Sequence, residues 1–364
     1  MAGTRAGQRG PARHALGSRP RGVVWTLVLC AAMLLSGCNT PTTPGATAAP
    51  GPTVVAHGAS VALAPPFDPS VGAPLPYNRI ISAYGIVGGV DFNGPASNPA
   101  SLENYIPQMQ QLGKQYEALD PAHPVKLGID IVVNGIQPCY PVFAPYCTSW
   151  VDAHKPSNPC DASTQFCTLD QIVSFCQQHD LLLFFDLQLF TEPVEHALMN
   201  HLMPYLEGYS FTELALDTEF HFPDTPQGRA DATGYPCCLG WMDASEINRT
   251  IDELAQISLQ QHLPRKILVV HEWNSNVLPD KEKIKLNPNV SIVLHSDGFG
   301  GYDNKIGDYQ VFVKQELIQY GGYKIFLPYA DGGAPDVDYQ GRHLAQTPQQ
   351  VMQLYPQPLI ISYQ

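Results

Sequence analysis

From residue 77 onward the chain repeats one pattern eight times: a short run of apolar and β-branched residues, then a stretch carrying helical signals. The runs are "RIISAYG" (79 to 85), "VKLGIDIVV" (125 to 133), "LLLFFDLQ" (181 to 188), "FTELALDTEF" (211 to 220), "KILVVHEW" (266 to 273), "VSIVLHSD" (290 to 297), "YKIFLPYAD" (323 to 331) and "PLIISYQ" (358 to 364). A strand with one wet face alternates apolar with polar residues, whereas these runs are almost continuously apolar. They therefore read as parallel strands covered on both faces.

The intervening stretches carry helix signals. "TEPVEHALMNHLMPYLEG" reads as a helix capped by Thr191, with Pro193 in its first turn and an end at Gly208. Asp243 with Glu246 reads as a capping box, Thr347 with Pro348 opens a further helix, and "YGG" at 320 to 322 is expected to close the helix before the seventh strand. Eight strands alternating with helices define an α/β chain whose simplest closed form is an eight-stranded, parallel (β/α)8 TIM barrel. An open doubly wound sheet would need a Gly-rich phosphate loop after its first strand, and none follows residue 85. The last helix of the barrel is expected to be missing, because the sequence ends on the eighth run, and a long Cys-containing loop follows the second.

In such a barrel the site lies at the C-terminal strand ends. Polar residues recur there: Tyr84; Asp186 and Gln188; Asp217 and Glu219; His271, Glu272 and Trp273; His295 and Asp297; Tyr329 and Asp331; Tyr363. Asp130 lies within the second strand. Asp217 and Glu219 are two apart, so in an extended strand they share a face at about 7 Å, and each raises the other's proton affinity. His271 and Glu272 are adjacent, so only one can face the axis; His271 is expected there and Glu272 outside. Lys324 is expected to be a buried partner of Asp130 or Asp186. The glycines of "HSDGFGGYDN" (295 to 304) let the chain turn sharply, aiming Asp297 at the site and setting Phe299 over it.

A rim of carboxylates, aromatics and histidine resembles that of glycoside hydrolases built on this barrel. In their large retaining clan a Glu ending strand four is the acid/base and a carboxylate ending strand seven the nucleophile, which implies Glu219 and Asp331. That clan has Asn-Glu and Glu at these places, where this chain has Thr218-Glu219 and an Asp. "LALDTEF" also resembles the close of the strand-four motif of chitinase-like barrels, with Thr212 and Ala215 where earlier aspartates stand. There the Glu protonates the leaving oxygen and the Asp steadies a substrate acetamido group, which implies Glu219 and Asp217. Both resemblances make Glu219 the acid. Asp186, Gln188, His271 and Asp297 would then contact substrate, and Trp273, Tyr84, Tyr329 and Tyr363 would stack on sugar faces. This reading needs no cofactor.

Two other readings stay open. A divalent metal (Mg, Ca or Zn) on Asp130, Asp186, Asp217, Glu219, His271 and Asp297 would make a hydrolase or phosphodiesterase, although no H-x-H or H-E-x-x-H occurs. A non-catalytic surface binding protein would instead pair its rim acids with Lys324, Lys126 or Arg79. Serine chemistry lacks a G-x-S-x-G elbow.

The N-terminus places the barrel. Arg5, Arg9, Arg13, Arg19 and Arg21, with no acid among them, precede an apolar run from Val23 to Leu35 and then "LSGC", the pattern of a secretory signal. Its close resembles the lipobox of bacterial lipoproteins, which implies acylation of Cys38 after removal of residues 1–37. An ordinary signal peptide or an anchor helix are the alternatives, but the run is short of the roughly 20 residues a span needs. Residues 38–76, rich in Pro, Thr and Ala, read as a tether, and 77–364 as the barrel domain. Beyond Cys38, fifteen basic residues face thirty-three acidic ones, a net charge of about −18. Such a surface excludes nucleic acid and suits a carbohydrate or other small polar ligand that is neutral or cationic.

Seven cysteines follow Cys38, at 139, 147, 160, 167, 176, 237 and 238. In an exported chain the four in the Pro-rich loop read as disulfides, since their spacings lack the CxxC of a zinc knuckle, and Cys176 reads as a buried thiol. The set "LDTEF", "VVHEW", "DGFG" and a final "YQ" resembles that of a group of bacterial surface lipoproteins, which implies a lipid-anchored protein on the outer face of the cytoplasmic membrane. Cys38→Ser should abolish labelling of the protein by radioactive palmitate in a bacterial host and shift it from the membrane to the soluble fraction; unchanged labelling would contradict the lipobox assignment.

Overall fold

The computed structural model describes residues 67–86, 95–136, 148–154, 165–234, 239–298, 301–315, 319–327 and 346–364. Eight parallel strands close into one barrel: β1 Arg79–Ile86, β2 Val125–Val132, β3 Leu182–Leu187, β4 Thr212–Asp217, β5 Lys266–Glu272, β6 Val290–Ser296, β7 Tyr320–Ile325 and β8 Ile360–Tyr363. Each pairs with its neighbour in this order, and β8 returns to β1 from Ile80↔Ile360 to Ala83↔Tyr363. Every residue of β3, β4, β5 and β6 is buried, which is why these runs show no alternation of hydrophobicity. The protein is a (β/α)8 barrel. Among the described residues no helix is long and apolar enough to cross a membrane.

Helices α1 (Pro99–Leu119) and α2 (Leu169–His179) cover the outside after β1 and β2, and α3 (Ala244–Gln260) covers it before β5. Between β3 and β4 the helical segment runs Val194–Ala197, Leu198–Leu202 as a π turn, and Met203–Gly208. Before β8 the described residues hold one helical turn, Pro348–Val351, opened by the expected Thr347 cap. Leucines, isoleucines and valines of these helices form one shell with the outward residues of the strands.

The barrel interior has two halves, and the period of two along a strand builds both. Leu75, Ile80, Leu182, Phe184, Ala215, Ile267, Val269, Val293, Leu359 and Ile360 form a dry lower plug. Two residues after Ile80, Phe184, Ala215, Val269, Val293 and Ile360 come Ser82, Asp186, Asp217, His271, His295 and Ser362, all at most 4 % exposed. The same inward row thus turns from apolar to polar as it climbs toward the C-terminal mouth.

The lower mouth is closed by residues that precede β1. Leu75 is fully buried in the plug, and this segment is tied down by Arg265, whose backbone N donates to Pro69 O at 2.8 Å and whose Nη2 donates to Leu75 O at 3.0 Å.

Four local expectations are corrected. "YGG" does not end a helix: Tyr320, Gly321 and Gly322 begin β7, with Gly322 opposite His295. A Cβ on Gly322 would stand 2.5 Å from His295 Cδ2, so only glycine lets that imidazole fit inside the barrel. Thr191 is not a cap, since Pro193 holds that position and the Thr191 hydroxyl has no hydrogen-bond partner among the described residues. Asp243 does cap α3, but Glu246 turns from the capping box to accept from His221 Nε2 at 2.9 Å. Tyr363 has outward parity and bonds Tyr116 of α1 at 2.8 Å.

Cys176 is the expected free, buried thiol, and Cys167 is disulfide-bonded to a partner outside the described residues. Cys38, Cys139, Cys147, Cys160, Cys237 and Cys238 also lie outside them. Leu75→Ala leaves a cavity in the plug and should lower the unfolding free energy by about 2–5 kcal/mol in urea titration. Tyr355→Ala, at a position 74 % exposed, should change it little; equal effects would contradict the plug.

Candidate functional site

The upper interior holds ionisable groups contributed by seven strands, β1 to β7. Tyr84 Oη donates to Asp186 Oδ2 at 2.9 Å. His271 is central: its Nδ1 lies 3.1 Å from Asp297 Oδ2, while its Nε2 faces Asp130 Oδ2 at 3.7 Å and Asp186 Oδ2 at 3.8 Å. Lys324 Nζ lies 3.9 Å from Asp297 Oδ2 and 3.5 Å from the centroid of the Tyr84 ring, a cation–π contact. Gln188 Nε2 donates to Asp217 Oδ2 at 3.0 Å. Gln188 is itself held by Asn134, which bonds both its backbone N and its backbone O at 3.0 Å.

Burial sets the proton affinities, and neighbours modify them. Burial pushes Asp130 up to about 6, and it raises Asp186 and Asp217 as well, with the charge of Asp130 adding repulsion at Asp186 and that of Asp186 at Asp217. Burial works against a charged His271, but Asp186, the hydrogen-bonded Asp297 and Asp130 overcome it and raise His271 to about 10. Burial would also raise Asp297; the bond to His271 and the charge of Lys324 instead hold it down at about 2. His295, whose ring centroid is 4.8 Å from that of His271, is driven well below its ordinary range by burial and by His271, and its Nε2 lies 3.1 Å from Ser362 Oγ. At neutral pH the site therefore holds a charged His271–Asp297 pair beside a neutral His295.

Glu219 occupies a different place from the one its spacing suggests. The strand ends at Asp217, and Thr218–Phe220 form a 3-10 turn, so Glu219 does not continue the inward row. It is half-buried at the mouth, above Asp217. Burial first, then the charges of Asp217 and Asp297, raise its carboxyl to about 9. The turn is fixed from several sides: Thr218 Oγ1 donates to His271 O at 2.7 Å, Gly240 N to Glu219 O at 2.7 Å, and Phe190 N to Phe220 O at 2.7 Å. The buried His221–Glu246 pair anchors the segment that follows.

The structure thus gathers Tyr84, Asp130, Asp186, Gln188, Asp217, His271, Asp297 and Lys324, with Glu219 at the mouth. Lys324 is buried as expected; its nearest carboxylate is that of Asp297, and its charge also acts on Asp130 and Asp186, the partners expected for it. Trp273 is half-buried against Gly298, where a Cβ would stand 3.0 Å from its ring, so this glycine serves packing after β6 as much as turning. Glu272 faces outward as expected, with both oxygens bound by Lys281 Nζ at 2.8 and 2.7 Å. Arg79 pairs with Asp120 at the opposite end of the barrel, and Lys126 is exposed at the start of β2, so neither neutralises the rim. Tyr363 is directed away from the interior. Tyr329, Asp331 and Phe299 lie outside the described residues.

Asn134, Ser82, Ser362 and the close, tilted approach of the His295 ring to that of His271 were not legible in the motifs of the sequence. Period-two counting back from the strand ends would have found the two serines; nothing local marks Asn134. Asp130, Asp186 and His271 have the side-chain chemistry and proximity to hold a metal ion. No protein family, curated protein or solved structure matches the chain in comparisons with all three.

A carboxyl whose folded proton affinity is raised stabilises the fold fully below the ordinary carboxylate range and loses that contribution as pH rises toward its folded value. Glu219→Gln has no proton to lose. In chelator-containing buffer its denaturation midpoint should match the wild type near about pH 4 and exceed it increasingly toward about pH 8.5; a difference independent of pH would contradict the raised affinity of Glu219.

Proposed function

We propose that this protein is an exported hydrolase of the glycosidase type that holds a carbohydrate at the C-terminal mouth of the barrel and uses Glu219 to protonate the leaving oxygen. The observation that carries this reading is the carboxyl of Glu219, half-buried at the mouth and holding its proton to about 9. A general acid must arrive protonated at working pH, and burial beside a second carboxylate is how a glutamate is kept so.

Asp217 supports the reading from below. It is 4 % exposed, its Oδ2 is occupied by Gln188, and its Oδ1 has no hydrogen-bond partner among the described residues. That oxygen can accept from a substrate N–H or O–H, the task an acetamido sugar would set it. The nucleophile or base is assigned to Asp217, to Asp331 or to the substrate itself, according to whether the substrate carries an acetamido group. A rim of five carboxyl groups disfavours anionic substrates, and Trp273, half-buried just after β5, is the aromatic side chain assigned to a sugar ring. The disulfide of Cys167 and the N-terminal signal support an extracytoplasmic location, with Cys38 as the lipid anchor.

The test is a panel of chitin, peptidoglycan and neutral plant polysaccharides incubated with the full chain and with its Glu219→Gln form, reading released reducing ends. The wild type should hydrolyse at least one, with activity falling as pH rises through the value of Glu219, and the variant should lose about 10²–10⁴-fold in kcat. Aryl glycosides whose leaving groups need no proton should lose much less. Binding of a glycan without hydrolysis by either form would overturn the enzymatic reading.

A further inference from the structure

Asp130, Asp186 and His271 come from β2, β3 and β5 and are at most 2 % exposed. Each offers a ligand atom, all three within 4.8 Å of one another. Their separations decide between two interpretations. A protonated Nε2 bonding a carboxylate would stand at about 2.7–3.2 Å. The 3.7 and 3.8 Å found here are too long for either hydrogen bond, and Nε2 has no hydrogen-bond partner among the described residues. Two metal bonds of ~2.1 Å that open at roughly 120° span ~3.6 Å, close to the separations observed. Asp130 Oδ1 and Asp186 Oδ1 are also buried without hydrogen-bond partners among the described residues.

The other ring nitrogen gives an independent indication. His271 Nδ1 bonds Asp297 Oδ2 at 3.1 Å, and the acid is itself held by Lys324. A carboxylate on the far nitrogen keeps a proton at Nδ1 and aims Nε2 at the two aspartates, the arrangement that supports metal-bound histidines once Nε2 has given up its own proton. Charge points the same way: Asp130, Asp186, Asp217, Glu219 and Asp297 are five carboxyl groups, and the cations acting on all of them are His271 and Lys324.

We infer that Asp130, Asp186 and His271 form a divalent-metal site, with Asp297 positioning His271. The ion replaces the Nε2 proton. Two carboxylate oxygens and one imidazole suit Zn²⁺ or Mn²⁺ better than Ca²⁺, which gathers six to eight oxygens. Three protein ligands leave coordination positions for water or a substrate oxygen beneath Glu219. The inference does not depend on which bond the barrel cleaves, because occupancy is read directly.

The test is calorimetric titration of Zn²⁺ and Mn²⁺ into the full chain after chelation and dialysis, with Co²⁺ absorption reporting the ligand set. One ion per chain is expected. Asp297→Asn should weaken binding 10–100-fold, His271→Ala should weaken it more, and Glu219→Gln should leave stoichiometric binding intact. Should the ligand variants not fold, anomalous diffraction from wild-type crystals soaked in Mn²⁺ locates the ion. A peak among the three side chains supports the site. Absence of stoichiometric binding, or an ion held elsewhere on the chain, overturns it. Metal binding without any glycan hydrolysis would leave this site standing and remove the glycosidase reading.

Discussion

His271 lies where three buried carboxylates converge, and the upper barrel is organised around its charge. Asp297 is held ionised by it, Asp130 and Asp186 face its other nitrogen, and His295 is kept neutral beside it. Burying this many acids is unfavourable unless cations and hydrogen bonds compensate. Tyr84, Gln188 and Lys324 supply part of that compensation, and what they leave uncompensated is the proton affinity available for chemistry at the mouth.

The support for this arrangement is mechanical as well as electrostatic. The rows that carry Asp186, Asp217 and His271 begin as Phe184, Ala215 and Val269 in the dry plug, so lower packing fixes the heights at which the polar side chains project. Leu75 belongs to that packing although it precedes the first strand. Gly322 makes room for His295, and Gly240 lets the chain pass His221 closely enough to bond the carbonyl of Glu219.

The strands were legible because burial on both faces leaves a signal in every residue of β3 to β6. The rim acids were legible because a barrel presents strand ends at one mouth. What escaped depended on partners distant in sequence. Tyr363 read as a rim residue until parity and Tyr116 turned it outward. Glu219 read as the second of a strand pair, whereas the chain leaves the strand at Asp217 under the pull of Thr218 on His271 O. "YGG" carries the composition of a helix end, but its glycines answer to the volumes of His295 and Tyr309. Glu246 fits a capping box by spacing and was claimed instead by His221, a partner no local rule names.

The carboxyl group of Glu219 at the mouth keeps its proton where ordinary glutamates have lost it. Carboxyl ¹³C NMR of the metal-free protein, labelled at glutamate and followed across pH for the wild type and Glu219→Gln, reads that group directly. One resonance titrating near about pH 9, absent from the variant, is the predicted result. Glutamate resonances that all titrate in the usual carboxylate range would contradict the account.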